Sequence, residues 1–191
     1  MLRRLHVRWP TDLAKAKGLL AEAGYPDGFA AQINCPSERY VNVEEVCRAV
    51  ASMLARVGIE VRPKTYVWPE FARMLVNGPA SSFHLIGVGS SWDTQDAFTA
   101  LMMTRNPKAG EGFFNWAQWT NPELDQITRE IRTTFDTARR TALYRRGIEI
   151  GKRDVHAVYL YQPYLVWAAN KTVSGTVRPD STVLLQDVVV K

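Results

Sequence analysis

The sequence lacks most of the residue sets that would mark it as an enzyme. Its 191 residues hold three histidines and two cysteines. His6, His84 and His156 stand far apart, without the spacing of metal ligands, so no metal site is expected. Cys35 and Cys47 allow one bridge at most, and no C-x-x-C pair exists. No Gly-x-Ser-x-Gly elbow surrounds Ser90 or Ser91, which removes the usual setting of a hydrolase nucleophile. Gly87 and Gly89 form only a fragment of the dinucleotide fingerprint, because Trp92 occupies the position of the third glycine. Nucleotide binding is therefore not expected, and no cofactor is. No run of about 18 apolar residues exists to cross a bilayer. Residues 1–10 are basic but have no apolar core, so they do not read as a signal peptide. That leaves a cytoplasmic chain, or a mature or truncated piece of an exported one. Low-complexity tracts and internal repeats are missing too.

What is present reads as an ordinary globular domain: 46% hydrophobic and 23% charged residues leave enough apolar surface for a real core. The net charge of +5 is spread rather than clustered. Its densest zone, Arg139, Arg140, Arg145, Arg146, Lys152 and Arg153, alternates with Asp136 and Glu149 at helical spacing, the pattern of a solvated helix face. No recognition motif accompanies it, so a nucleic-acid partner is not expected.

Periodicity and punctuation divide the first ninety residues into helix, strand, helix, strand, helix, strand. Thr11 or Asp12 caps a helix with Leu13, Ala16, Leu20 and Ala23 on one face, and Gly24 ends it. Residues 25–28 form a tight turn before a strand over 29–35. Asn42 is expected to cap a second helix whose stripe is Val43, Val46, Cys47, Val50, Leu54 and Val57, and Gly58 to stop it. On that stripe Cys47 reads as a small buried hydrophobe, with a Cys35–Cys47 bridge as the alternative. A strand over 59–67 containing Pro63 should lie at an edge or carry a bulge. A short helix over 69–76 and an apolar strand over 83–88 complete a doubly wound α/β order. Residues 89–120 are long, irregular and rich in Ser, Gly, Asn and aromatics, a composition that often carries function. Helices are expected from Asn121 and from Asp136, and an aromatic, β-prone stretch over 156–167.

Two segments stand out chemically. Residues 85–93 run from a strand into a Gly/Ser-rich turn, where small side chains let a ligand approach backbone N–H groups beyond the strand ends. Ser90, Ser91, Trp92 and Asp93 are the candidate binding residues there, Asp93 facing a ligand amine through a charge-assisted bond. Asp96, three residues on, is expected to cap the helix holding Phe98 and Leu101; the pair Asp93 and Asp96 would otherwise serve a small hydrolytic enzyme. In the second segment Asn115 can donate and accept toward a peptide-like group, and Trp116 offers rigid apolar area. Phe113 and Phe114 are expected to cover the sheet.

The wording of these segments resembles a known family. Residues 12–29, with Ala16, Lys17, Leu19, Leu20, Glu22, Ala23, Gly24, Tyr25, Pro26, Asp27, Gly28 and Phe29, are similar to the segment that opens the C-terminal lobe of the extracellular solute-binding proteins of peptide-type ABC importers. The resemblance continues in order through Gly112, Phe113 and Asn115, then Asn121, Pro122, Glu123 and Asp125. It runs on through Asp136, Arg140, Leu143 and Tyr144, then Leu160, Tyr161, Gln162 and Pro163. Gly89 to Ser91 and Arg178 to Thr182 look like the subgroup of glutathione and dipeptide binders, although Val88 stands where many of them have Trp. The resemblance implies an α/β, type II periplasmic-binding-protein-like C-terminal lobe with three layers, helix, sheet and helix. It implies a hinge-side segment over 1–11, a ligand-binding lobe over 12–154, and a return segment over 155–191 that packs partly on a first lobe absent from this chain. It further implies binding without chemistry, a small peptide or peptide-like solute, importer membrane subunits as partners, and a periplasmic or extracellular location. With the first lobe absent, aromatic surface at Tyr159, Tyr161, Tyr164 and Trp167 should lead to self-association or a partner chain.

Overall fold

The computed structural model describes residues 10–77, 82–88, 94–164, 166–175, 178 and 183–191. Helix α1, Leu13–Glu22, starts where Asp12 accepts from the Lys15 N–H at 2.8 Å, leaving Leu13, Ala16 and Leu20 half-buried on one face. Strand β1, Phe29–Pro36, follows the turn, then α2, Val43–Ala55, β2, Ile59–Tyr66, α3, Trp68–Asn77, and β3, Phe83–His84. The three strands are parallel in the order β2-β1-β3, with Phe29 opposite Ile59 and Asn34 opposite His84. Pro63 therefore lies on an edge strand among the described residues, as its missing N–H requires.

Alternation along β1 builds the layers. Ala31, Ile33 and Cys35 face α2 and form a core with Cys47 and Val61, lined by Val50 and Leu54. Asn34 faces the other way, toward α3, where its Nδ2 donates to the Met74 sulfur at 2.9 Å and its Oδ1 accepts from Gln32. Helices on both faces of a parallel sheet give the three-layer arrangement expected. Cys35 and Cys47 are joined by a disulfide across the α2–β1 interface, Cα to Cα 6.7 Å. The expectation of a free buried Cys47 is thus corrected: the stripe that buries it also carries it opposite the last inward residue of β1.

A second core lies among helices. A short helix α4, Thr94–Ala97, continues into a π-type turn over Phe98–Met102. Helices α5, Pro122–Thr133, and α6, Thr137–Arg153, pack on it through Phe98, Met102, Leu124, Ile127, Ile131 and Ile150. Gly147 makes room for Phe98, since a Cβ there would fall 2.2 Å from the Phe98 ring. Asn121 and Asp136 cap α5 and α6 as expected, accepting from the Leu124 and Arg139 N–H groups.

Other expectations are corrected. Asn42 adopts φ +54 and makes no cap bond through its side chain. Asp96 lies inside the first turn of α4 instead of before it. The strand expected over 83–88 ends at His84, and the described residues of 156–167 pair with no strand. Elsewhere β4, Val173–Ser174, pairs with β5, Val189–Val190, in a two-residue antiparallel ladder, and Asn106 and Glu111 form an isolated antiparallel bridge. The basic face of α6 pairs with partners other than its own acids: Arg139 with Glu130, Arg146 with Glu123 and Arg153 with Asp154. Among the described residues no helix is long and apolar enough to cross a membrane.

Candidate functional site

The strand order creates one special place. The chain leaves β1 toward β2 on one side and returns to β3 on the other, so the order reverses at β1. In open α/β sheets, ligands bind beyond the carboxyl ends of the strands at such a reversal. Here that place is bounded by residues 36–42 after β1 and by residues 85–88 after β3. Leu85 still donates to the Asn34 carbonyl at 2.9 Å, and two residues later the Gly87 carbonyl accepts from the Tyr40 hydroxyl at 3.2 Å.

Ser90, Ser91, Trp92 and Asp93 lie outside the described residues. The described chain stops on this rim at Val88 and resumes at Thr94. On the resuming side Gln95 is held from α6: Arg140 Nη2 donates to Gln95 Oε1 at 3.0 Å, and the guanidinium lies 5.7 Å from the Tyr144 ring centroid. The Arg140 and Tyr144 of the sequence motif thus reach the far end of the candidate segment, 45 residues back in the chain. An open cleft of about 250 Å³ adjoins, lined by Thr94, Thr137, Arg140, Thr141 and Tyr144 among others.

Trp116 is brought to the same end of the sheet. Its ring meets His84 edge-on at 6.3 Å between centroids and Phe114 at 5.2 Å. Burial pushes the His84 imidazole below its ordinary pKa, which favours the uncharged ring. Phe113 and Phe114 do not cover the sheet; they are 50% and 41% exposed and stack on each other. Asn115 is buried, and both its amide hydrogens are spent inside the loop, on the carbonyls of Met103 (2.9 Å) and Trp119 (2.6 Å). Its oxygen accepts from the Trp119 N–H. In this structure Asn115 staples the loop that presents Trp116.

The same loop is tied down by ions. Glu111 is buried and takes two bonds from Arg129, at 2.9 and 3.3 Å, with Arg132 at 3.9 Å. The Arg129 bond outweighs burial and holds the Glu111 carboxyl below the ordinary glutamate range. A lowered folded-state pKa stabilises above the unfolded value, about 4.3, and is lost as pH falls through the folded one. Glu111→Gln is therefore expected to destabilise the chain at pH 7 and to lose that difference at an acid pH below the ordinary glutamate range. Urea midpoints that stay equally far apart at both pH values would refute this. Nothing in the local sequence marked Glu111, because its partner lies 18 residues away. Tyr40 was missed for the same reason; its partner is 47 residues away. Among the described residues no group of His, Cys, Asp and Glu is placed to hold a metal ion.

Comparison with known proteins agrees with this geometry. Residues 5–112 match the family profile described as bacterial extracellular solute-binding proteins, family 5 Middle. The chain is 29% identical over 169 residues to the di/tripeptide-binding protein 2 of Pseudomonas aeruginosa, covering 87% of this chain and 31% of that one. It is 29% identical over 184 residues to the glutathione-binding protein of Pectobacterium atrosepticum, covering 94% and 35%. Among solved structures, the periplasmic binding protein DppA of Helicobacter pylori, in complex with the peptide STSA, superposes with a TM-score of 0.78. It is 25% identical, covering 94% of this chain and 34% of that one. The chain thus spans about a third of the length of the relatives it matches. Its fold is that of the type II periplasmic binding proteins. These relatives are binding proteins, which leaves the hydrolytic reading of Asp93 and Asp96 without support.

Proposed function

Because the chain belongs to the family 5 bacterial extracellular solute-binding proteins, we propose that it is the C-terminal lobe of a binding component that delivers a small peptide or peptide-like solute to the membrane subunits of an ABC importer. The observation that carries this is the continuous match over nearly the whole chain to proteins named for dipeptides, tripeptides and glutathione, with the rim at the sheet reversal where a ligand would sit. No bond is made or broken in the ligand. Ser90, Ser91, Trp92 and Asp93 line the rim, Asp93 taking the ligand amine, while Trp116 contributes a wall. The location is periplasmic or extracellular.

The lobe runs over 12–154, with 1–11 on the hinge side and 155–191 as the return segment. This division is supported by the buried hydrophobic residues, which run from Ala31 to Ile150, and by the end of α6 at Arg153. Beyond it the chain carries exposed apolar side chains: Tyr159, Tyr161 and Trp167 are exposed, and Tyr164 is 97% so. Apolar side chains exposed in such number over a short stretch mark a surface that a partner covers. The remainder of a full-length binding protein is that partner, and in its absence a second copy takes its place. Sedimentation of the isolated chain at high micromolar concentration is expected to show self-association; a strictly monomeric profile would count against the assignment.

Native mass spectrometry tests the ligand. The purified chain is examined intact, then denatured, then after addition of glutathione or the dipeptide Ala-Ala. A released or added mass in the peptide range supports the proposal. A bare protein mass under all three conditions would show that this lobe does not hold solute by itself.

A further inference from the structure

The loop after β1 has a role that periodicity did not disclose. It is anchored on the β2 side: Ser37 donates to the Tyr66 carbonyl through both its N–H (2.7 Å) and its hydroxyl (3.1 Å), and the Arg39 guanidinium lies 4.4 Å over the Trp68 ring. Its two flanks are joined by the Cys35–Cys47 disulfide. Glu38 at φ +57 and Asn42 at φ +54 bend it sharply between those anchors. From this fixed arch Tyr40 reaches across the end of β1 to the chain leaving β3. Its hydroxyl donates to the Gly87 carbonyl at 3.2 Å, and its ring lies so close to Gly87 that a Cβ there would sit 2.8 Å from Cε1. Pro36, the last residue of β1, has no N–H with which to extend the ladder. The Tyr40 side chain supplies a donor just beyond the point where backbone pairing gives out.

We propose that Tyr40 is a positioning residue of the ligand rim, fixing the path of residues 85–88 beyond β3 and so setting solute affinity without touching the solute. This rests on the binding function proposed above. It also gives Gly87 a reason: any side chain there would displace the ring that holds the segment. The anchors at Ser37 and Arg39, and the bridge behind them, make the arch rigid enough for one hydroxyl to matter.

Tyr40→Phe removes the hydroxyl and keeps the ring, so the fold should survive. Three measurements on the full chain are compared: thermal midpoint, the carbonyl ¹³C resonance of Gly87, and affinity for glutathione and Ala-Ala. The expected result is an upfield Gly87 carbonyl, a midpoint lower by no more than about 4 °C, the stability that one hydrogen bond carries in a domain of this length, and affinity weaker by about fivefold to tenfold because the rim segment is no longer held in place. Glu60→Ala, which touches only an exposed ion pair with Arg62, should leave affinity unchanged. An unmoved Gly87 resonance, or unchanged affinity in a Tyr40→Phe chain whose parent binds, overturns the role of Tyr40 alone. An affinity loss accompanied by a larger fall in the midpoint makes Tyr40 merely structural and overturns it too. A parent chain that binds neither probe shows that this lobe does not hold solute by itself and overturns this role for Tyr40 in it. Should Tyr40→Phe fail to fold, Gly87→Ala is read in its place, with the same resonance replaced by that of Val88.

Discussion

Replacing Gly28 by alanine is expected to cost at least about 4 kcal/mol, or to prevent recovery of folded protein. Gly28 adopts φ +80, where an L-residue loses about 1 kcal/mol, but conformation is the smaller part. A Cβ at Gly28 would lie 1.9 Å from the Gly58 carbonyl oxygen and 2.4 Å from its carbon. Those are backbone atoms, which cannot swing aside as a side chain would. The two glycines stand immediately before Phe29 and Ile59, the first paired residues of β1 and β2. Their contact is where the parallel register begins, so separating them strains every later pair, including the strand end that bears the candidate rim. Gly24→Ala provides the comparison. Gly24 has φ +89 but open space around its missing Cβ, so that substitution should cost only the conformational part, about 1 kcal/mol. Urea denaturation of the two variants separates the effects. Equal losses would mean that the close approach of the two turns carries no energy.

That contact shows where sequence reading succeeds and where it stops. Asp12, Asn121 and Asp136 were legible because a cap bond closes within three residues, a distance that local wording encodes. The order of the first six elements was legible because periodicity and Gly/Pro punctuation are local as well. Gly28 and Gly58 were each legible as turn residues, but their meeting depends on how two turns thirty residues apart are folded together. Asn115 reads from the sequence as a buried-capable amide in a polar loop, and its partners here are the loop's own carbonyls. A side chain that can satisfy a peptide-like ligand satisfies the loop's own carbonyls equally well. The stretch over 156–167 has strand composition but pairs with nothing described, because strand propensity measures fit to a half-buried sheet surface, and the described residues supply none there.

Removing the Cys35–Cys47 bridge is the second large effect. The double substitution Cys35→Ala and Cys47→Ala is expected to lower unfolding free energy by about 3 kcal/mol, the loop-closure value for residues this close in sequence. For a domain of this length that amounts to a midpoint lower by about 6–12 °C. Both cysteines are fully buried. A reductant should therefore act slowly on the folded chain and freely once it opens. Reduced parent protein should then unfold with the variant, and oxidised parent protein well above it. Coincident transitions for oxidised parent, reduced parent and variant would show that the bridge contributes nothing. A bond of this kind persists where thiols are not held reduced, as outside the cytoplasm. A chain made in a reducing cytoplasm and kept there would lack it and would lose the rigidity of the arch that carries Tyr40 to Gly87. Thermal stability and solute affinity should consequently both fall in protein prepared without an oxidising step, and recover together on oxidation. Recovery of stability alone would separate the bridge from the rim and confine its role to holding α2 on the sheet.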